Sequence, residues 1–284
     1  MDVKSAVKYM LISTLAFACM NSIVKYLVDF NAFQIVFFRS IGSLFFTFGF
    51  LLKNKIPILG NKRKLMVIRG LVGVTSMALF FMSTKYLPIG TAVSLRYMAP
   101  IFAAIFAIFF LKEKIKSWQW LFFAIAFAGV VIIKGLDTEV NTFGLLLIMG
   151  AAVFSGMVYV LLSKIGKGDH PVVIVNYFMV IATIVGGVFL IKYWVQPIGK
   201  EWFMLFGLGV FGYFGQINMT KAFQVAATNQ VAPLKYIEVI FTVLFGVFIF
   251  AEIYTVWSLL GIALIILGLV LNVLYKSRLD SKKI

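Results

Sequence analysis

Residues 95–118 read LRYMAPIFAAIFAIFFLKEKIKSW, and residues 234–257 read LKYIEVIFTVLFGVFIFAEIYTVW. The two stretches align without a gap at an offset of 139 residues, and Tyr, Glu and Trp recur in register together with aliphatic and Phe residues. Unrelated apolar helices share Leu and Ile by chance, but chance does not also align Tyr, Glu and Trp. The match therefore indicates an internal duplication that divides the chain into residues 1–139 and 140–284.

The composition identifies the solvent of this chain as lipid. Of its 284 residues, 62% are apolar and 13% are charged, and the mean hydropathy is +1.04. Soluble domains are roughly 45–50% apolar and about 25% charged, because a surface facing water consumes charged residues. This chain has too few charged residues to cover a water-soluble fold.

Apolar runs long enough to cross a bilayer, about 20 residues each, recur along the whole chain. We expect them at 6–28, 32–52, 66–86, 89–111, 117–134, 143–163, 172–194, 202–221, 229–250 and 255–275. The predicted fold is therefore an all-α polytopic membrane protein with ten transmembrane helices. Each copy of the duplication holds five spans, an odd number, so the second copy enters the membrane from the opposite side and the two five-helix repeats are inverted.

The basic residues predict the orientation. Of the 26 Lys and Arg residues, 18 fall in the segments on the side of the N-terminus, 5 on the other side and 3 within spans. This bias predicts a multi-pass protein of the inner (plasma) membrane with both termini in the cytoplasm. It also accounts for most of the net charge of +16 without a nucleic-acid partner.

Chemistry that depends on cysteine or histidine is excluded by counting. Cys19 and His170 are the single residues of their types, so an internal disulfide, a cysteine metal site and a Ser-His triad are not expected. We therefore expect no cofactor, no metal and no enzymatic activity.

The ten spans, the duplication at the middle of the chain and the segments that end in Glu113 and Glu252 resemble the drug/metabolite transporter superfamily, in its ten-span branch with paired EamA domains. The resemblance implies a central cavity lined by spans one to four and six to nine, with spans five and ten at the periphery. One position departs from the repeat: Pro100 is matched by Val239, so a proline kink is not expected at that point of span nine.

Four ionisable residues lie well inside spans, where each costs roughly 2.5–3.5 kcal/mol to insert unless it faces a cavity or a partner. They are Arg39, Arg96, Lys235 and Glu238. We expect the three basic residues to bind the anionic part of a substrate, and Glu238 to take a proton or to bind a cationic part. The alternatives are structural: Lys235 pairs with Glu238, Arg39 bonds backbone carbonyls, and Arg96 extends to the interface.

Uncharged polar residues at span depth complete the predicted site. Tyr97 and Tyr236 adjoin the repeat-related basic residues, and the others are Asn21, Tyr159, Asn176, Tyr213 and Gln216. Such residues also serve as hydrogen-bonding contacts between helices, so this role stays open for each. Glu113 and Glu252 are expected to anchor span ends.

The predicted function is secondary active transport of a small anionic or zwitterionic organic metabolite by alternating access. The alternative is a membrane scaffold without transport activity or a channel-like protein. The segment Pro233-Leu-Lys-Tyr-Ile-Glu238 resembles the matching stretch of bacterial S-adenosylmethionine carriers, but amino-acid and drug-like substrates stay open. The expected partners are the lipid bilayer, the substrate and coupling protons, and a homodimer is left open.

Overall fold

The computed structural model describes residues 3–111, 116–136, 140–165, 168–225 and 232–281, and this part of the chain contains helices and no strand. We number the α-helices in chain order. They are α1 (Val3–Tyr26), α2 (Ala32–Lys53), α3 (Arg63–Ser83), α4 (Ile89–Arg96), α5 (Ala99–Leu111), α6 (Ser117–Leu136), α7 (Thr142–Ile165), α8 (Pro171–Lys192), α9 (Glu201–Val225), α10 (Ile237–Phe250) and α11 (Val256–Ser281). A 3₁₀ helix, Ala232–Tyr236, precedes α10.

Each predicted span coincides with helical structure within a few residues at either end. Span four consists of α4 and α5, and the described part of span nine consists of the 3₁₀ helix and α10. Eight segments are long and apolar enough to cross a membrane, and they omit α9 and α10. Helix α9 carries four glycines with Gln216 and Asn218, which lower its hydropathy, and α10 has only 14 residues. The chain is a multi-span, helical membrane protein.

The helices pack in a pattern that relates the two halves of the chain. Three pairs join equivalent spans: α2 with α8, α4 with α10, and α6 with α11. The other main contacts come in matched couples, namely α1–α9 with α3–α7, α1–α10 with α5–α7, and α2–α9 with α3–α8. If each of spans one to five is exchanged with its counterpart among spans six to ten, every helix contact named above becomes either itself or another of the contacts named above.

Two of these pairs approach closely because glycines meet at the crossing. A Cβ placed on Gly42 of α2 would lie 2.8 Å from the Cα of Gly209 in α9, and a Cβ on Gly129 of α6 would lie 2.5 Å from the carbonyl oxygen of Gly261 in α11. Small residues allow close backbone packing in membranes, where no hydrophobic effect drives helices together.

Spans four and nine are both interrupted, at positions matched by the offset of 139 residues. In span four the backbone N–H of Met98 bonds to the Leu95 carbonyl, and α5 starts afresh at Ala99 before Pro100. In span nine the 3₁₀ helix ends at Tyr236, the counterpart of Tyr97. The interruption of span nine occurs although Val239 replaces Pro100, and the segment that precedes it contains Pro233. Discontinuous helices of this kind commonly form substrate sites in transporters.

Candidate substrate cavity

A cavity of about 240 Å³ lies between the two halves of the bundle. Its walls come from α1 to α4, from α7 to α10 and from the 3₁₀ helix, and the described residues of α6 and α11 do not line it. The polar and charged lining residues are Asn21, Arg39, Arg69, Ser76, Arg96, Tyr97, Ser155, Tyr159, Gln216, Lys235 and Glu238. Four cationic side chains and one carboxylate therefore face a common space.

The carboxylate of Glu238 accepts a hydrogen bond at each of its two oxygens. Glu238 is 6% exposed and starts the first turn of α10. The Asn21 side-chain amide donates to one carboxylate oxygen at 2.9 Å, and the Tyr97 hydroxyl donates to the other at 2.5 Å. Spans one, four and nine thus meet at one acidic side chain, since each of these partners comes from a different span.

The repeat-related tyrosines contact each other directly. The ring centroids of Tyr97 and Tyr236 are 5.2 Å apart with their planes at 85°, an edge-to-face arrangement that aromatic pairs prefer. The ammonium of Lys235 lies 5.7 Å from the centroid of the Tyr97 ring. In the described structure the ammonium of Lys235 makes no ion pair with Glu238 within 4 Å. The pairing that their spacing in the sequence allowed is therefore not formed.

Three arginines line the cavity without carboxylate partners in the described part of the chain. Arg39 of α2 is 7% exposed, and the hydrogen bond that its guanidinium makes to a described residue goes to the Met179 sulfur, at 3.9 Å. Arg69 of α3 lies 4.5 Å from the Phe178 ring centroid, and Arg96 at the end of α4 lies 4.4 Å from that of Phe80. Arg39 Nε, Arg69 Nε and Arg69 Nη1 are buried donors that have no hydrogen-bond partner among the described residues.

The remaining predicted residues divide into two groups. Tyr159 and Gln216 line the cavity, whereas Tyr236, Asn176 and Tyr213 lie outside its wall. Tyr236 is buried against Tyr97. Asn176 of α8 accepts a hydrogen bond from the Thr47 hydroxyl of α2 at 3.1 Å. Tyr213 stacks on Phe46 with centroids 4.6 Å apart, so these two residues make contacts between helices.

Sequence reasoning missed Arg69, because its position near the predicted start of span three grouped it with the residues that set orientation. The structure begins α3 at Arg63, which places Arg69 almost two turns inside the helix. Gly73 and Ser76 follow it at helical spacing and also line the cavity. A small and polar stripe at i, i+4 and i+7 is the signal that would have identified this face.

Lys25 and Glu252 meet at the membrane face away from the N-terminus. We call the group formed by Lys25, Glu252, Tyr254 and the backbone of residues 84–90 the opposite-face cluster. Both oxygens of Glu252 lie within 3.0 Å of the Ile89 backbone N–H nitrogen, and the Tyr254 hydroxyl donates to Glu252 at 2.6 Å. Glu252 therefore anchors the first turn of α4 from the end of span nine. Glu113, its repeat-related residue, lies outside the described residues.

A family model confirms the transporter resemblance. The model of the EamA-like transporter family matches the chain twice, at residues 4–135 and at residues 142–274. A crystal structure with 18% sequence identity and a TM-score of 0.65 covers 98% of this chain and 97% of its own, and it shows that the fold is shared.

Curated relatives resemble the chain over most of its length. Solute carrier family 35 member G1 of Homo sapiens is 29% identical over 89% of this chain and 74% of its own. The pseudopaline exporter of Pseudomonas aeruginosa is 27% identical over 93% of this chain and 94% of its own. The S-adenosylmethionine uptake transporter of Rickettsia felis is 25% identical over 96% and 94%. These relatives are transporters, not enzymes.

Proposed function

The chain belongs to the EamA-like transporter family, and from this premise we propose that it is a secondary carrier that moves a small anionic or zwitterionic metabolite by alternating access. The observation that carries the proposal is the central cavity, whose charged walls are built from both halves of the chain. A carrier needs a site between two units that can move relative to each other.

The exchange symmetry of the helix contacts supports an inverted-repeat mechanism. Residues 1–139 and 140–284 act as the two five-span repeats in this proposal, and the family model matches one segment within each. Related repeats can adopt each other's conformations, so that the cavity opens to one face and then to the other. The contact between the interrupted spans four and nine at Tyr97 and Tyr236 also supports this exchange, since it joins equivalent positions of the two repeats.

The charge of the cavity supports an anionic or zwitterionic substrate. Arg39, Arg96 and Lys235 bind its anionic part, since unpaired cations in a cavity within the membrane are stabilised by a negative group. Glu238 acts as the proton site or receives a cationic group. Among the relatives, one is named for uptake and another for export, so the direction of transport in this chain is a matter for measurement.

The bias of basic residues supports insertion into the inner (plasma) membrane with both termini in the cytoplasm. On this orientation the opposite-face cluster lies at the outer surface. A reporter fused to the C-terminus should consequently be active only if it functions in the cytoplasm.

Reconstitution into proteoliposomes tests the transport function. Vesicles loaded with an unlabelled metabolite mixture should accumulate a labelled substrate by counterflow, at a rate that saturates with its concentration. Conductance that does not saturate would indicate a channel instead. A well-folded preparation that shows no flux of any tested metabolite would favour the scaffold alternative.

A further inference from the structure

We propose that Arg39, Arg69 and Arg96 form a receptor for a substrate with at least two negatively charged oxygen groups, carboxylate or phosphate. The inference rests on the proposed transport function and narrows its substrate class. It adds Arg69 to the proposed substrate site. It also narrows the expected substrate from any anion to one that carries at least two negatively charged groups.

The balance of charge in the cavity is the first argument. Arg39, Arg69, Arg96 and Lys235 line it together with one carboxylate, that of Glu238. Glu238 is already held by Asn21 and Tyr97. A single carboxylate on the substrate would leave two of the four cations without a counter-charge, and a buried cation without an opposite charge is costly.

The unused hydrogen-bond donors are the second argument. Arg39 Nε, Arg69 Nε and Arg69 Nη1 are buried and have no partner within the described ranges, although buried polar atoms are nearly always hydrogen-bonded. A guanidinium presents its N–H groups in a fork that matches two oxygens of a carboxylate or phosphate. The unpaired N–H donors of Arg39 and Arg69 therefore match a ligand with more than one carboxylate or phosphate group.

The way the arginines are held is the third argument. Phe178 lies over the guanidinium of Arg69, and Phe80 lies over that of Arg96. A ring that packs on a guanidinium stabilises the positive charge and leaves the donors, which lie in the guanidinium plane, available. Gly73 leaves room for the Phe178 ring and the Arg69 guanidinium, since a Cβ at residue 73 would lie 3.1 Å from Phe178 and 3.7 Å from Arg69 Nη1.

The structural alternative is that the arginines only hold helices together. In that case their donors would be bonded to backbone carbonyls, as the ammonium of Lys25 is to the carbonyls of Thr84 and Leu87. No carbonyl bond is formed by Arg39 or Arg69 in the described part of the chain. The two sites use cationic side chains differently, and only the cavity leaves their donors unsatisfied.

A charge series tests the proposal on the purified, full-length protein. The probes are pentanoate, glutarate and tricarballylate, which carry one, two and three carboxylates, and phosphate with pyrophosphate, which carry one and two phosphate groups. Thermal stabilisation is titrated with each. We expect glutarate, tricarballylate or pyrophosphate to bind at least about tenfold more tightly than pentanoate or phosphate, the matched probes with a single anionic group. A response confined to the carboxylates or to the phosphate identifies which group the receptor takes.

The variants assign the effect to the arginine receptor. Arg69→Gln should weaken binding of the multiply charged probe by about 10- to 100-fold, the range expected for losing hydrogen bonds to a charged group, and should weaken pentanoate binding much less. Arg63→Gln is the matched control, because Arg63 is exposed at the start of the same helix and does not line the cavity. Arg69→Lys should fall between the wild type and Arg69→Gln.

Either of two binding results would overturn the inference. One is a wild-type protein that binds pentanoate as tightly as every multiply charged probe, which can be measured even if a variant fails to fold. The other is an equal loss of binding in Arg69→Gln and Arg63→Gln. Counterflow of a singly charged or zwitterionic metabolite that is unaffected by Arg69→Gln would also reject the receptor while leaving transport intact. Probe binding that depends on charge but is not accompanied by saturable flux would reject the transport function and leave the arginine receptor supported.

Discussion

The side-chain nitrogen of Lys25 lies 3.2 Å from a carboxylate oxygen of Glu252, and the pair joins the end of α1 to the end of span nine. The pair is sheltered, with the side chains 19% and 8% exposed. Lys25 also donates to the Thr84 and Leu87 carbonyls at 2.8 and 2.9 Å, so that the cluster connects both halves of the chain at one membrane face.

This relationship predicts that the cluster holds the opposite face closed. Glu252→Gln should leave the Lys25 charge poorly compensated and increase access to the cavity from that face. The measurement is the labelling rate of Val93→Cys, a cavity position in α4, by an impermeant maleimide in a Cys19→Ala background. Lys85→Gln, an exposed position in the neighbouring loop, is the control and should not change the rate. Equal rates in Glu252→Gln and its parent would show that the cluster does not act as a closure.

Glu238 is the predicted proton site. Glu238→Gln should abolish uptake driven by a pH gradient and spare exchange, because glutamine accepts hydrogen bonds but does not ionise. Initial rates at several pH values in proteoliposomes provide the measurement. Asp29→Asn is the control, since Asp29 is an exposed acid outside this cavity. A pH dependence of uptake that survives in Glu238→Gln would remove Glu238 from the coupling mechanism.

The Tyr97 hydroxyl should contribute to stability through Glu238. Tyr97→Phe keeps the ring contact with Tyr236 and loses the hydrogen bond to the carboxylate, with an expected cost of roughly 1.5–3 kcal/mol for a bond to a charged group. Tyr236→Phe is the repeat-related comparison and should cost less, since no hydrogen bond from the Tyr236 hydroxyl is present in the described structure. Thermal or denaturant unfolding in detergent measures both. Equal losses would mean that the hydrogen bond adds nothing to the ring contact.

Two glycine positions offer a test of helix packing with opposite outcomes. Gly209→Ala should destabilise by about 1–3 kcal/mol, because the new methyl group meets the Gly42 backbone and forces α2 and α9 apart. Gly49→Ala should stabilise by up to about 1 kcal/mol, since nothing lies within 4 Å of a Cβ there and alanine favours a helix. Unfolding in matched detergent compares them. A neutral Gly209→Ala would contradict the close crossing of α2 and α9.

Asp169, in the loop before α8, should cause the stability of the folded protein to fall at acidic pH. The backbone N–H groups of Asn61 and Lys62 donate to its carboxylate, at 2.5 and 3.1 Å, and hold the pKa of Asp169 below its ordinary value. A lowered pKa in the folded state gives stability that is present above the unfolded value, about 3.9, and is lost as the pH falls through the folded pKa. The melting temperature of Asp169→Asn should therefore change less on acidification than that of the wild type. Parallel profiles would show that the loop contact is not linked to protonation.

The approximate positions of the spans could be predicted from the sequence because long apolar runs have one stable form in lipid, in which every backbone group is bonded within the segment. The breaks in spans four and nine and the start of α3 could not. The family followed from residues in register, among them Tyr97 with Tyr236 and Glu113 with Glu252. For Arg39, Arg96, Lys235 and Glu238, burial was expected on energetic grounds, and the structure brings all four to one cavity.

The partners of these residues could not be predicted, because a contact between spans depends on helix rotation and tilt, which no single span encodes. Spacing allowed Lys235 to pair with Glu238, whereas in the structure Glu238 accepts hydrogen bonds from Asn21 and Tyr97. Asn176 and Tyr213 have the same polarity as the cavity residues but face neighbouring helices. The sequence groups Arg69 with the basic residues that set orientation, because its depth in the membrane depends on where α3 begins.

The sequence by itself determined a multi-span, helical membrane protein, and it predicts ten spans in a duplicated plan, since hydropathy and register are properties of the chain. The tertiary structure alone decided that Lys25 meets Glu252, that the tyrosines of the two halves touch, and that three arginines face one space. Two of these arginines, Arg39 and Arg69, have buried donors without a partner in the described part of the chain. The physical reason is distance along the chain: these contacts join residues far apart in sequence, and only the packing of helices against one another brings them within hydrogen-bonding or electrostatic range.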